Sequence, residues 1–587
     1  MAPASGPSSA QRMHLVEAES FDNTGGWTVD QQSMDVMGTA YLISHGYGTP
    51  VADAVTKTTL PEAGRYRVWV RTRDWPAQFG LQNECGQFRL RINDEPLSPV
   101  FGTEKPEWHW QDGGAVELQN PDVELRLQDM DGFDGRCDAI LFAPESEFQP
   151  PEENCALDSF RRQMRGSSDE TLDAGNFDFV VVGGGVAGIC AAKAAARSGL
   201  KVAFLHDRPV PGGNNSSEVR VHIGGERNLD PFPSLGNIVN EVIPSEDHGN
   251  AQPAAYYEDK KKMDAVYNEP NLHPYLNMHV IDVETHEDSI QAVIAEDIST
   301  GTRHRYSASF FADCTGDATV GYLGGAEFRI GRESRNETDE RLAPEKTDTM
   351  VMGSSVMWYA EQTAAAKDFP QHPWTEGFSE EACAPALRGD WNWEAGMYQD
   401  QVTDIEEIRD YGLRVAYGNW AFLKNCSEQK VEFRNYKLAW VNCIAGKRES
   451  RRLLGDVILT EQDIEEARDF PDACVTTTWS IDLHYPKELP GFENAPFRSY
   501  ADHVRKPPYP IPFRCFYSRN IDNLMMAGRN ISVTHIALGT TRVMGTCGMM
   551  GEVIGFAAGL CRKFNTTPRG VDTDHLQELF QQFTSMK

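Results

Sequence analysis

The sequence predicts an α/β domain interrupted by a mixed α+β insertion and preceded by an all-β sandwich. Three observations carry this. Residues 13–147 alternate apolar and polar side chains at the period of a strand. A β-branched run at 177–182 passes straight into a glycine-rich turn and an alanine-rich helix. A glycine-rich stretch returns at 510–565 after a segment, 331–509, of different composition.

In chain order, residues 1–12 are rich in Ala, Pro, Ser and Gly and read as a disordered leader. They lack the basic start and apolar run of a secretion signal, so a cytoplasmic protein is expected, or a secreted or periplasmic one if a signal has been removed. Across 13–147 the clearest strand is 64–71, where Tyr66, Val68 and Val70 fall on one face and Arg65, Arg67 and Arg71 on the other. The same alternation recurs at 87–93 and 116–119, with Gly, Pro, Asn and Asp between, which predicts an antiparallel sandwich. Residues 148–174 carry turn formers and charge and read as a linker.

The α/β domain is expected over 175–330 and 510–565. Its first strand leads into Gly183, Gly185 and Gly188, a GxGxxG turn. The first glycine permits the tight turn, the second lets backbone approach a pyrophosphate, and the third lets helix pack on strand. A second apolar strand, 201–205, closes a Rossmann-like βαβ unit whose helix N-terminus favours phosphate. The acidic residue that holds an adenosine ribose falls about 20 positions on. His206 stands there and Asp207 follows it, so Asp207 is the candidate. The 331–509 insertion reads as a substrate-facing cap, and 566–587 as a helical tail.

The net charge of −32 opposes binding to nucleic acid or to an anionic membrane. There is no uninterrupted apolar run of the roughly 18 residues a membrane span needs. Twelve cysteines show neither CxxC pairs nor zinc spacing and read as reduced thiols. Oligomeric state is left open.

Three segments together resemble the FAD-dependent oxidoreductase family of glutathione-reductase-like flavoproteins, whose bacterial members often accompany polysaccharide-degrading enzymes. They are the loop 208–225 with its Gly-Gly-Asn-Asn-Ser, the Ala312-Asp-Cys-Thr-Gly-Asp317 turn, and 523–539 with Arg542 and 551–558. The resemblance implies FAD as the tightly bound cofactor. Arg208, Gly213, Asn214, Asn215 and Ser216 would lie beside the flavin and ribityl chain, and Thr315 and Gly316 on the adenine side. Gly528 and Arg529 would also meet the cofactor. Relatives often carry Gly-Asp where this chain has Gly528-Arg529, so Arg529 is read as a partner of the pyrophosphate. The helix containing Gly551 would aim its N-terminus at the pyrimidine edge of the flavin.

Oxidation of an alcohol by a flavin needs a base for the hydroxyl proton, and histidine suits that role near neutral pH. His535 leads, lying between Gly528-Arg529 and Arg542, with a core histidine bonded to backbone as the alternative. His222 lines the site, carries a covalent flavin bond, or simply hydrogen-bonds. Glu218 and Arg220 bind substrate hydroxyls or pair with each other. Asp482 and His484 are further pocket candidates, and the arginines of 446–456 either fix a carboxylate or hydroxyls or form structural ion pairs. Trp358, Trp391, Trp393, Trp420 and Trp440 are sugar platforms or core.

The opening 15–21 and closing 137–142 strands resemble those of carbohydrate-binding modules. This implies a structural calcium on Glu17, Glu19 and Asp138, with Trp108 and Trp110 binding glycan or filling the sandwich. The favoured function is an FAD-dependent oxidoreductase acting on a carbohydrate or glycoside, oxidising a ring hydroxyl by hydride transfer to flavin N5, with an unidentified electron acceptor. The alternatives are redox-neutral elimination of a glycosidic bond, reduction of an activated C=C bond, and a glycan-binding flavoprotein without catalysis.

Overall fold

The computed structural model describes residues 12–585 apart from 145–147, 153, 167–170 and 372, so the leader expected at 1–12 falls almost wholly outside the described residues. At the centre is a sheet in the order Leu272–Leu276, Val202–His206, Leu172–Val182, Arg303–Asp313, Ser289–Asp297, Met278–His286. The first four run parallel and the last two antiparallel, while Leu524–Met526 adds in parallel beside the C-terminal half of Arg303–Asp313. Phe179, Val180, Val181 and Val182 are each at most 5% exposed, as a parallel strand covered on both faces demands.

The Val186–Arg197 helix covers one face, its alanines letting a second helix approach closely. That helix, Met544–Phe564, lays a glycine stripe on it. A Cβ at Gly551 would stand 2.1 Å from the Ala187 carbonyl oxygen, and one at Gly555 2.4 Å from that of Ala191. Met544–Phe564 is long and apolar enough to cross a bilayer, with a mean hydropathy of 1.3, but 89% of that window is buried in this fold.

In the N-terminal part, one antiparallel sheet runs His14–Glu17, Ala139–Pro144, Gly64–Thr72, His109–Leu118, and another Ala54–Thr59, Asp122–Asp129, Phe88–Ile92, Glu95–Pro96. The buried alternate residues of the first, Tyr66, Val68 and Val70, share one apolar cluster with Phe88, Leu90, Leu125 and Leu127 of the second. A third sheet, Phe133–Cys137, Tyr41–His45, Thr28–Asp30, turns toward the 331–509 segment.

There the two parts are welded. Arg136 makes a fork to Asp410 at 2.6 and 2.9 Å, both side chains dry, and Arg409 reaches Asp30 at 2.6 Å. Both Asp410 and Arg409 come from the Ile405–Asn425 helix, and around them Trp75 and Phe133 pack with Trp374 and Tyr417. Trp108 is engaged in this junction, its Nε1 donating to Glu406 at 3.1 Å, while Trp110 is 5% exposed and donates to the Pro151 carbonyl. Neither presents a free platform. The insertion's Trp358, Trp393, Trp420 and Trp440 are likewise buried.

The segment read as a linker contains a helix, Asn154–Arg165. Its inward side is Leu157, Phe160, Arg161 and Arg165, so an apolar run is missing although the amphipathic spacing is present.

Candidate active site

A long cleft opens at the C-terminal ends of the parallel strands, where a sheet of this kind leaves a crevice for its ligand. Gly183, with φ +102°, turns the chain out of the first strand so tightly that a Cβ there would stand 2.3 Å from the Cys314 carbonyl oxygen. Gly185 is different: nothing lies within 4 Å of its missing Cβ, and it lines the cleft, leaving a bare backbone cradle. Gly188 does not line the cleft. Its Cβ would fall 1.8 Å from the Gly183 carbonyl oxygen, so its role is helix-to-turn packing.

Asp207 and Arg208 follow the second strand into the cleft. Burial alone would raise the Asp207 carboxyl, but the neighbouring His206, Arg208 and His279 hold it well below the usual range. Thr315, Gly316, Gly528 and Arg529 also line the cleft. Arg529 donates to Asp317 at 2.8 Å, with Lys447 on the other carboxylate oxygen at 2.7 Å. Gly316 has no side chain because a Cβ would meet the Arg529 guanidinium at 2.3 Å. The Arg529 Nε is buried without a hydrogen-bond partner, a donor where phosphate charge is wanted.

At the other end stand His222, Trp391, Arg448, Trp479, Asp482 and Arg542. Asn250 Oδ1 accepts from the His222 backbone N–H at 2.8 Å and meets its Nδ1 at 2.7 Å. Asn250 Nδ2 in turn donates to Asp390 at 2.9 Å, which fixes the amide's orientation. The Nδ1 of a neutral His222 ring therefore carries the proton and Nε2 the lone pair. Arg448 stacks 3.9 Å over the Trp391 ring and reaches Glu394 at 3.3 Å; burial pushes its guanidinium down to about 10. Asp482 is held by Arg542 at 3.1 Å and by His484 at 3.3 Å.

A family model for the FAD dependent oxidoreductases matches residues 178–580, more than half of the chain. The chain belongs to that family. A segment of 91 residues is 36% identical to glycerol-3-phosphate dehydrogenase from Mycobacterium leprae (strain TN), covering 16% of this chain and 15% of that relative's length. Glycerol-3-phosphate dehydrogenase from Bacillus halodurans, solved with FAD, aligns over 26% of this chain and 37% of its own at 15% identity and a TM-score of 0.20. The myxobacterial chondrochloren halogenase aligns over 70% and 78% at 11% identity and 0.32.

FAD fits the residues present. The uncovered backbone at Gly185 and the unpartnered Nε of Arg529 suit a pyrophosphate, and Asp207 suits a ribose. Gly213 and Asn214 line the cleft. Asn215 and Ser216 do not: Asn215 Nδ2 donates to the Val221 carbonyl and Ser216 Oγ to that of Gly213, so they shape the loop from below. Gly551 is a helix-packing position, although the first turn of its helix does reach the cleft through Met544 and Cys547.

Three histidine and arginine candidates sit elsewhere. His535 is 1% exposed and outside the cleft, its Nδ1 held by Glu449 at 2.9 Å within a dry cluster of Glu333, Glu449 and Arg452. His484 is behind the cleft wall, between Glu394 at 2.6 Å and Asp482. Arg220 stacks 4.2 Å over Trp440 and bonds the Ser217 carbonyl, while Glu218 faces Arg208 at 3.7 Å rather than Arg220.

Glu17, Glu19 and Asp138 do converge, their oxygens within 4.8 Å of one another. Yet Arg161 lies 2.8 Å from Glu17 and 2.9 Å from Asp138, Arg165 is 2.7 Å from Glu17, and Arg71 pairs with Asp138. Burial and the neighbouring Glu17 push the Glu19 carboxyl well above its ordinary value. The chain's own guanidiniums already neutralise the charge that a calcium ion would require, so these residues do not fit that ion.

Asn250, Asp390 and His279 escaped the reading of the sequence. Asn250 is 28 residues from His222 and 140 from Asp390, distances at which no local period operates.

Proposed function

We propose that this FAD-dependent oxidoreductase oxidises a ring hydroxyl of a carbohydrate or glycoside. The carrying observation is the Asp390–Asn250–His222 chain, which leaves His222 Nε2 as a proton acceptor in the cleft. FAD, when bound, supplies the hydride acceptor at N5. His222 takes the hydroxyl proton, and Asn250 keeps the ring in the required tautomer. Trp479 offers an apolar face to a sugar ring, and Asp482 and Arg542, which line the same cleft, offer hydrogen bonds to its other hydroxyls.

In this reading the reaction runs in the cytoplasm with a separate electron acceptor, and the N-terminal strands serve the cleft rather than capturing glycan. The test is anaerobic titration of the yellow protein with mono- and oligosaccharides, following the oxidised flavin band. Bleaching by a sugar supports the proposal. A flavin indifferent to every sugar but reoxidised, once reduced, by an enoate would replace it with C=C reduction.

A further inference from the structure

We infer that the N-terminal segment Gln31–Asp35 forms a wall of the adenosine subsite, with the Gln31 carboxamide hydrogen-bonding the adenosine of FAD. The adenosine end of the cleft is set by Asp207, at the end of the second strand of the βαβ unit. His279 lines the cleft there, close enough that its charge acts on Asp207. Asp35 Oδ1 lies 3.0 Å from His279 Nε2, joining the N-terminal part of the chain to this end of the cleft. Met34 and Ala40 pack on Ile298, whose backbone bonds Asn277, which in turn bonds Arg208. The segment is thus seated on the same corner by both charge and apolar contact.

Gln31 brings an unpartnered donor to this end of the cleft. It is 4% exposed, lines the cleft, and its Nε2 is buried without a hydrogen-bond partner. A carboxamide so placed costs stability unless something polar meets it. Its neighbours are fixed: Asp30 is held by Arg409, and Gln32 staples the segment to the Cys443 carbonyl at 3.0 Å and the Ala445 N–H at 2.7 Å. Gln31 is therefore held in place between two anchored residues, and a carboxamide matches the paired donor and acceptor of an adenine edge.

The experiment compares Gln31→Met, which keeps the side chain's bulk, and Asp35→Ala, at a side chain 37% exposed, with the parent protein. Flavin release on dilution of the holoprotein is followed by fluorescence, and the full-length protein stripped of flavin is titrated with FAD, AMP and FMN. A loss of about tenfold in FAD and AMP affinity for Gln31→Met, as one lost hydrogen bond implies, with FMN affinity unchanged, is the expected result. Unchanged FAD and AMP affinity, or equal weakening of AMP and FMN, overturns the inference. The melting temperature of the stripped variants reads folding separately, and Gln31→Met should not lower it.

Discussion

The His222 Nδ1 and the Asn250 Oδ1 are 2.7 Å apart, and the same oxygen accepts from the His222 main-chain N–H. One amide thus fixes both the position and the proton of the imidazole.

Replacing His222 by Asn should lower kcat by about 10²- to 10⁴-fold, the range for a lost general base, while the flavin spectrum stays that of the parent. Asn250→Ala should act through His222, lowering kcat with little change in KM. A His222→Asn protein retaining full activity would remove the histidine from the reaction.

Gly551→Ala places a methyl group against the Ala187 backbone, which cannot step aside without moving the helix behind the glycine turn. Destabilisation of about 1–3 kcal/mol is expected, read as a lower melting temperature, together with faster flavin loss. Gly38→Ala is not a comparable control because its φ of +78° adds its own strain.

Since arginines neutralise Glu17 and Asp138, chelation with EDTA should leave the melting temperature unchanged. Arg161→Ala leaves Glu17 to Arg165 alone and Asp138 to Arg71 alone and should cost about 1.5–3 kcal/mol, the range for lost hydrogen bonds to charged groups, measured by denaturant unfolding. A calcium-dependent melting temperature would show that the guanidiniums are not the resident counter-ions.

Glu552 is fully buried on the Met544–Phe564 helix and accepts the Gly236 and Val239 N–H groups at 3.1 and 3.0 Å. Burial raises its carboxyl to about 7, against an ordinary 4.5. The folded state then binds the proton more tightly than the unfolded one. Its contribution is fully present below about pH 4.5 and declines as pH rises through about 7, a pH-dependent part of at most about 3 kcal/mol. Melting temperatures from pH 4.5 to 8 should show that decline in the parent protein and a flatter profile in Glu552→Ala.

The cofactor half of the cleft was legible because its chemistry is contiguous: strand, glycine turn and helix follow one another, and Gly183, Gly185, Asp207, Thr315, Gly316, Gly528 and Arg529 all line the cleft. The substrate half was not. His535 stands in sequence between Arg529 and Arg542, both at the cleft, yet the His535–Thr541 helix is buried along its whole length and carries the imidazole away from it. His222, by contrast, depends on Asn250 and Asp390, which only the fold brings near. The Asn154–Arg165 helix was hidden for another reason: its buried side is half arginine, and charge reads as solvent exposure until the carboxylates opposite are known.

The weld between the N-terminal sheets and the Ile405–Asn425 helix also constrains how the chain is born. Arg136 waits 274 residues for Asp410, and Asp30 waits 379 for Arg409. As the polypeptide leaves the ribosome, the first strands pair among themselves but must hold two uncompensated charges at a surface destined to be dry. Completion of the N-terminal part is therefore a late event in synthesis, timed by the arrival of a helix from the second half of the protein.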